Sequence, residues 1–167
     1  MVHPPGTPYP LPIPPPQDTR MNQLLTRVLT DLTERTSRSV NMVSNPLVAA
    51  AVITRSERVY WGNNIYLSHA SMSCAEANAY ASAVAAGDTD VVTVMITSSR
   101  RDGAKPSILW PCGTCRQLFS DVAALTGNLI AVYSADPDKV LGRALTTLIP
   151  EPFIPTRLAK LAAGEAR

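Results

Sequence analysis

The sequence has few of the residues on which several classes of protein depend. Of its 167 residues, 3 are cysteine and 2 are histidine, aromatic residues make up 5%, and the net charge at pH 7 is +2. Proteins that bind nucleic acids usually carry a basic face and aromatic side chains on which bases stack. We therefore expect no polynucleotide partner and a small-molecule substrate or ligand instead.

Long apolar runs are also missing. No stretch approaches the roughly 18 consecutive apolar residues of a membrane-spanning helix, and the first residues lack the basic and apolar regions of a secretory signal. Three cysteines cannot all pair with one another, which argues against a disulfide framework. We expect a cytoplasmic protein that does not bind membranes and whose reduced thiols are free to hold a metal ion.

Proline is distributed unevenly along the chain. Eight of the fifteen prolines lie within residues 1–16. Because proline fixes φ and has no backbone N–H group, this stretch cannot form a helix or an inner strand. We predict that residues 1–17 are a proline-rich tail, extended or disordered, and that residues 18–167 form a single domain.

The remaining sequence alternates between strand and helix patterns. Apolar residues at helical spacing predict a helix from Asp18 or Thr19 to about Ser37, and residues 47–54 and 59–64 predict a hairpin of two strands. We further predict helices at 74–86, 112–125 and 155–163, strands at 91–97 and 129–133, a strand with a helical turn at 140–148, and loops at 65–73 and 100–107. This alternation predicts an α/β sandwich around one sheet.

The cysteines belong to the most informative pattern in the chain. Cys74-Ala75-Glu76 is followed by Pro111-Cys112-Gly113-Thr114-Cys115. Three thiolates can bind zinc and leave its fourth position open for water, as a catalytic site requires, and C-x-E … P-C-x-x-C is typical of zinc-dependent deaminases. We predict Cys74, Cys112 and Cys115 as the Zn²⁺ ligands and Glu76 as the catalytic group that moves protons.

Both ligand groups fall where helices are predicted to begin. Cys112 and Cys115 are three residues apart and share a helix face, and Cys74 begins another helix. The free N–H groups and partial positive charge of a helix N-terminus lower the pKa of a thiol and offset the charge of a zinc–thiolate centre. Arg116 is a candidate for a cation that serves the same purpose from behind the ligands, or it is a plain surface charge.

With these motifs, extended by Arg116-Gln117, the chain resembles the small zinc deaminases of the cytidine deaminase superfamily over about residues 20–153. Weaker matches flank the motifs at residues 48–51, 62–65 and 145–150. The resemblance implies a three-layer α/β/α sandwich around a five-stranded mixed sheet, and a homo-oligomer, with a tetramer favoured. It also implies hydrolytic removal of the 4-amino group from a cytosine-type ring, with release of ammonia.

One stretch departs from the nucleoside enzymes of this superfamily. They read N-[VI]-E-N where this chain has Asn64-Ile65-Tyr66-Leu67, and their Asn and Glu hold the ribose hydroxyls. A version with Asn-Val-Tyr resembles the blasticidin S deaminases. Because losing that carboxylate costs roughly 1.5–3 kcal/mol of hydrogen bonding, we expect a blasticidin S-like nucleoside analogue as substrate, with cytidine or deoxycytidine as the alternative.

The resemblance implies substrate contacts at Asn64, Tyr66, Ala75 and Trp110. The backbone N–H groups of Ala75 and Cys112 would orient the ring or the hydroxide, and the carbonyl of Trp110 would accept from the substrate amine. Trp110 stands where the family usually has a small residue. Structural interpretations stay open, since Asn64 can be a turn former, Tyr66 a half-buried strand-end aromatic and the ring of Trp110 part of the core.

Other interpretations of the cysteines also stay open. Residues 111–115 resemble a thioredoxin-type dithiol, a redox pair that needs no distant cysteine or glutamate. A structural zinc site would need a fourth ligand, for which only His3 and His69 offer an imidazole. His3 lies in the tail, and we expect His69 to be a loop residue that lines the pocket. Phe153 falls where the family carries a C-terminal aromatic near the pocket, or it packs the end of the chain.

Overall fold

The structure, a computed structural model, describes residues 18–68 and 71–164. The predicted tail at 1–17 and His69 lie outside the described residues. The elements in chain order are α1 (Thr19–Arg35), β1 (Val40–Asn41), β2 (Pro46–Thr54), β3 (Val59–Asn63), β4 (Ile65–Ser68), β5 (Ser71–Ser73), α2 (Ala75–Ala85), β6 (Val91–Arg100), α3 (Gly113–Thr126), β7 (Ala131–Ala135), β8 (Val140–Ala144), α4 (Leu145–Leu148) and α5 (Thr156–Ala162).

Five of the strands form the main sheet, in the order β3-β2-β6-β7-β8. β6 and β7 are parallel and the other neighbours are antiparallel, so the sheet is mixed. β2 and β3 form the predicted hairpin, whose turn contains Glu57 with a φ of 62°. The prediction of a five-stranded mixed sheet is confirmed.

Alternating residues of β2 separate the helices into two layers. Ala49, Ala51 and Ile53 pack against the buried stripe of α1 on one face of the sheet. Ala50 and Val52 pack against α2 and α3 on the other face. Because successive side chains of a strand point to opposite faces, one small-residue strand serves both layers. The predicted three-layer α/β/α sandwich is confirmed.

The ends of the helices follow local signals in the sequence. Asp18 caps α1, with its carboxylate accepting from the Arg20 N–H at 2.8 Å. α3 ends at Gly127, which has the left-handed φ of 73° that favours glycine. The predicted strand and helical turn at 140–148 are present as β8 and α4. Within the described ranges, none of the helices combines the length and the apolar character needed to cross a membrane.

The prediction of a loop at residues 65–73 is wrong, because much of this segment belongs to a second, three-stranded sheet. In this small sheet, β4 lies between β1, to which it is parallel, and β5, to which it is antiparallel. Its strands have only two to four residues, too few to display an alternating pattern. The small sheet leads directly into α2 and brings Tyr66 and Ser73 close to its start.

α2 lies directly on β3 because Gly62 has no side chain. A Cβ at this position would be 2.2 Å from the carbonyl oxygen of Ala75 and from the nitrogen of Ala79, and 2.8 Å from the carbonyl carbon of Asn78. All three are backbone atoms of α2, so they cannot rotate away. The close approach fixes the first turn of α2 against the end of β3.

Substituting Gly62 by alanine should therefore push α2 away from the sheet. We expect the free energy of unfolding in urea to fall by about 1–3 kcal/mol, the usual cost of overpacking, and zinc affinity to fall with it. Gly113→Ala is the matched control, because nothing lies within 4 Å of a Cβ there. If the two variants are equally stable, the contact does not hold α2 in place.

Candidate active site

The three cysteines meet at the starts of α2 and α3. Their Sγ atoms lie within 4.8 Å of one another, and those of Cys74 and Cys112 are 3.7 Å apart. Zinc–sulfur bonds of about 2.3 Å in a tetrahedral arrangement place the sulfurs about 3.8 Å apart. The spacing therefore fits one zinc ion. Among the described residues, no other group of three or more Cys, His, Asp or Glu side chains is close enough to hold a metal.

The chemistry of the three thiols fits a divalent cation as well. A hydrogen bond with Cys115 lowers the pKa of Cys74 to about 6. The same hydrogen bond, together with burial, raises the pKa of Cys115. A second thiolate beside the first is unfavourable because like charges repel. A metal ion offsets this repulsion between thiolates, since it stabilises every thiolate that it binds.

Cys74 and Cys112 occupy the N-cap positions of α2 and α3. Both have extended backbone conformations, and neither side chain makes a capping hydrogen bond. The thiols thus remain available as ligands, while the free N–H groups and positive dipole ends of two helices lie beside them. This is the arrangement that the sequence predicted for both cysteine-bearing helices.

Glu76 lies in the first turn of α2 and is only 4% exposed. Burial raises the pKa of its carboxyl group to about 7, and the charge of Cys74 acts in the same direction. Hydrogen bonds from its own backbone N–H and from Cys115 oppose the rise. A carboxyl group with this pKa can both accept and release a proton at neutral pH, as general acid–base catalysis requires.

A pocket of about 220 Å³ opens beside Cys74, Cys112 and Glu76. The rest of its wall consists of Asn41, Ser44, Pro46, Val48, Asn64, Tyr66, Met72, Ser73, Ala75, Ile96, Leu109 and Trp110. All four residues that the sequence predicted as substrate contacts are in this wall. The small sheet supplies part of it, because Asn41, Tyr66 and Met72 are paired across its three strands.

The side chain of Asn64 is largely engaged with the backbone. Its Oδ1 accepts from the Val48 N–H at 2.9 Å, and its Nδ2 donates to the Pro46 carbonyl at 3.2 Å. The amide thereby fastens the start of β2 to the start of β4 rather than forming a local turn. One amide hydrogen and one oxygen lone pair remain for a substrate, so a substrate contact stays a prediction.

Arg116 makes its hydrogen bonds to carbonyl groups. The guanidinium donates to the carbonyl of Pro111 at 2.7 Å and to that of Leu148 at 3.2 Å. It thus fastens the segment before Cys112 to the end of α4. Its positive charge lies behind the ligand segment, but the hydrogen bonds that it makes serve to hold the backbone.

Two aromatic residues singled out in the sequence have distinct surroundings. Trp110 packs against the core beneath α2 and α3, and the guanidinium carbon of Arg143 is 5.2 Å from its ring centre. Phe153 is 74% exposed. Its backbone N–H donates to Oε1 of Gln117 at 3.1 Å, and its carbonyl accepts from Nε2 at 2.5 Å. Gln117 therefore holds the C-terminal segment beside α3.

Sequence reasoning missed several polar residues around the pocket. Asn41 is 1% exposed, and its side chain bonds to the backbone of Val43, Ser44 and Pro46, which fixes the turn at the pocket rim. Asn78 lies in α2 behind the pocket wall. Asparagine is unfavourable within helices. Its presence in an alanine-rich helix could therefore have indicated that its side chain makes specific hydrogen bonds.

The sequence matches the model of one protein family over residues 23–126. That family is described as the cytidine and deoxycytidylate deaminase zinc-binding region. The match spans both cysteine motifs and Glu76, and it covers more than half of the chain.

Solved structures of cytidine deaminases share the fold. The enzyme from Burkholderia pseudomallei is 22% identical, with a TM-score of 0.63 over 77% of this chain and 98% of that one. The enzyme from Mycobacterium tuberculosis is 25% identical, with a TM-score of 0.59 over 81% and 98%. The enzyme from Bacillus anthracis is 15% identical, with a TM-score of 0.56 over 86% and 96%.

The buried carboxyl of Glu76 should make stability depend on pH. The folded protein holds this proton up to about pH 7, whereas the ordinary value is 4.5. The folded state therefore binds more protons than the unfolded chain in this window, so raising the pH through it destabilises the fold. We expect zinc-free Glu76→Gln protein to match wild type near pH 4 and to be more stable by about 1–3 kcal/mol at pH 8.

Urea unfolding with a chelator and a reductant, from pH 4 to pH 8, measures this difference. Glu34→Gln is the control, because it removes a glutamate on the exposed part of α1. Its stability profile should run parallel to that of wild type. If the stability profile of Glu76→Gln also ran parallel to that of wild type, the pKa of Glu76 would not be raised by burial.

Proposed function

The chain belongs to the family of cytidine and deoxycytidylate deaminases that share this zinc-binding region, and we propose that it is a hydrolytic deaminase. Its reaction would replace the 4-amino group of a cytosine-type ring by a carbonyl and release ammonia. The substrate would be a nucleoside or a nucleoside analogue of the blasticidin S type. The observation that carries the proposal is a buried carboxyl group beside three converging thiols at the end of a small pocket.

Cys74, Cys112 and Cys115 would hold the metal ion. When bound, zinc supplies a water molecule that ionises near neutral pH and can attack the ring. The starts of α2 and α3 offset part of the negative charge of the thiolates. Arg116 keeps the segment before Cys112 in place through the Pro111 carbonyl.

Glu76 would carry the proton from the water to the departing nitrogen. In the metal-free protein, burial raises the pKa of this carboxyl group to about 7, so that the protonated and ionised forms are both populated at neutral pH. The ionised form can take a proton, and the protonated form can give one to the leaving amine. The carbonyl of Trp110 and the N–H groups of Ala75 and Cys112 would orient the ring and the amine.

The character of the pocket favours a substrate other than a simple ribonucleoside. Tyr66 occupies the position where the nucleoside enzymes have a ribose-binding glutamate, and the amide of Asn64 is mostly engaged with Val48 and Pro46. The pocket would therefore bind ribose less strongly. An aromatic ring at Tyr66 suits a sugar that lacks the usual hydroxyls or carries a substituent. Cytidine and deoxycytidine are the alternative substrates.

The described wall of the pocket also favours an uncharged substrate over a nucleotide. Among the described residues that line it, Glu76 is the one carboxyl group, and there is no lysine or arginine. A bound phosphate normally requires charge-assisted hydrogen bonds from such cations. We therefore expect nucleoside substrates to be preferred over nucleoside monophosphates.

A non-catalytic zinc site or a thiol redox pair is the alternative from another class. All three thiols are free of disulfides, so a Cys112–Cys115 dithiol remains chemically available. A redox pair has no need for a third thiol and a buried carboxyl group at the same point. Free thiols as ligands also favour a reducing compartment, and we infer a cytoplasmic location.

Substituting Glu76 by glutamine should abolish deamination without removing the metal. Glutamine fills the same space but cannot accept the proton, so we expect activity to fall by about 10²–10⁴-fold with close to one zinc per chain retained. Cys112→Ser should lose both zinc and activity. Ammonia release from cytidine, deoxycytidine, cytosine, blasticidin S and cytidine monophosphate measures activity, and atomic absorption measures zinc.

The zinc content and activity of the wild-type protein separate the alternatives. A zinc-free wild-type protein with a reversible Cys112–Cys115 disulfide would support the redox role. A zinc-loaded wild-type protein that deaminates none of the pyrimidines would refute the proposed reaction.

We also propose that the chain forms a homo-oligomer, with a tetramer favoured. One face of the small sheet carries an apolar patch that consists of Val40, Ile65 and Leu67, all of them exposed. Contiguous apolar patches are uncommon on monomers and often mark interfaces.

Light scattering should therefore give about four times the mass of the chain. Leu67→Lys places a charge in the apolar patch and should shift the population to smaller species. Leu129→Lys is the control, because Leu129 is 88% exposed but lies outside the patch. Equal masses for the two variants would show that the patch is not the interface.

A further inference from the structure

The short segment from Leu109 to Pro111 is held at both of its ends. The backbone N–H of Leu109 donates to the Oγ of Ser134 at 3.1 Å. The carbonyl of Pro111 accepts from the guanidinium of Arg116 at 2.7 Å. Leu109 and Trp110, between these two anchors, are part of the pocket wall, but Ser134 is not. Any effect of Ser134 on substrate therefore passes through this segment.

Ser134 lies in β7 and has no exposed surface. It is paired with Ile96 of β6, so the two side chains share one face of the main sheet. A buried hydroxyl is unfavourable unless it forms hydrogen bonds, and the Leu109 N–H provides one. This contact accounts for a serine within a buried strand.

The carbonyl of Trp110 is directed to the side of the segment that faces away from Ser134. Residues 104–112 contain neither a helix nor a turn, and the residue before a proline favours an extended conformation. In an extended chain, successive residues direct their N–H and C=O groups to alternate sides. The Leu109 N–H points to β7, which has no residue in the described wall, so the Trp110 carbonyl points to the side where β2 and β6 line the pocket.

This carbonyl is also available to a ligand. Within residues 18–68 and 71–164, no N–H or O–H group donates to it. We propose that Ser134 is a positioning residue, which holds Leu109 so that the Trp110 carbonyl meets the amine of the substrate. This inference rests on the proposed function for the substrate and for the role of the carbonyl. Arg116 would then hold the end of the segment next to the metal ligand, and Ser134 the end that contacts the substrate.

A carbonyl held in a fixed position distinguishes the substrate from its product. The 4-amino group of a cytosine-type ring has hydrogens to donate, whereas the carbonyl that replaces it can only accept. A fixed Trp110 carbonyl therefore attracts the substrate amine and repels the product oxygen. If the segment were not held, it could move away from the product, and the preference for substrate would be smaller.

The direct test is Ser134→Ala, with whichever of cytidine and blasticidin S the wild-type enzyme deaminates. Loss of one well-placed hydrogen bond should raise KM about 3- to 10-fold. The deaminated product, used as a competitive inhibitor, should have an unchanged or lower Ki, because it makes no such bond. A KM equal to that of wild type would overturn the proposal. A Ki that rises together with KM would also overturn it, since it would show a general loosening of the pocket.

Zinc content separates this role from one at the metal. Arg116 still holds Pro111 in the Ser134→Ala variant, so Cys112 should keep its position. We expect close to one zinc per chain by atomic absorption, as in wild type. Loss of zinc from Ser134→Ala would show that Ser134 supports the ligands rather than the substrate contact, and would overturn the proposal.

Thr97→Val is the matched control for a merely structural effect. Thr97 is 4% exposed and lies in the neighbouring strand β6, where its Oγ1 donates to the Ala135 carbonyl at 3.0 Å. It is not in the pocket wall. The variant should be less stable but should keep the KM and Ki of wild type. An equal rise of KM in Thr97→Val and Ser134→Ala would overturn the positioning role.

Ser134→Cys provides a second variant if Ser134→Ala does not fold. Its side chain has nearly the same shape, but sulfur is only a weak acceptor, so KM should again rise while Ki does not. A wild-type protein that deaminates nothing refutes the proposed function. An active enzyme whose KM is unaltered in the Ser134 variants refutes this inference alone.

Discussion

The rest of the site depends on one constraint, which is that Cys74 and Cys112 are the N-caps of their helices but must keep their thiols for a metal. An N-cap side chain normally satisfies a helix N–H group and contributes about 1 kcal/mol, and here neither does. The start of each helix is therefore held in place by contacts with other parts of the fold. The contact with Gly62 and the hydrogen bond from Asn78 to the end of β3 hold α2. Arg116 holds α3 to Pro111 and to the end of α4, and Gln117 holds it to the segment after α4.

The helices and strands that could be predicted are those long enough to show the periodic spacing of apolar residues that is typical of a helix or a strand. α1 shows its apolar stripe over four turns and begins at a recognisable cap, and β2 has nine residues that serve two layers. The small sheet could not be predicted, because its strands are too short for a pattern and its pairing joins Val40 to Ile65 across β2 and β3. Its stability comes from tertiary neighbours, which a local window does not contain.

In the site, too, some features follow from neighbouring residues in the sequence, whereas others depend on contacts between distant segments. The three cysteines and Glu76 lie at two helix starts, so their convergence could be predicted from the sequence. The partners of the longer polar side chains depend on which backbone groups the fold brings near. Arg116 reaches a carbonyl 32 residues away, and Asn64 reaches one that is 18 residues away. Arginine and asparagine side chains are expected to form hydrogen bonds, but only the tertiary structure determines which groups are their partners.

The burial of Glu76 is both a cost to the fold and the source of its proposed chemistry. Removing a carboxyl group from water disfavours its charged form, so the fold is less stable above the pKa of this group than it would be with a neutral residue. In water, with its ordinary pKa of 4.5, the group would be almost fully ionised at neutral pH and would seldom have a proton to give. The apolar pocket residues around it, among them Val48 and Ile96, keep water away and so raise the pKa into the useful range. A more polar wall would make the protein more stable, but it would lower the pKa of Glu76 and leave the group with a proton to give less often at neutral pH.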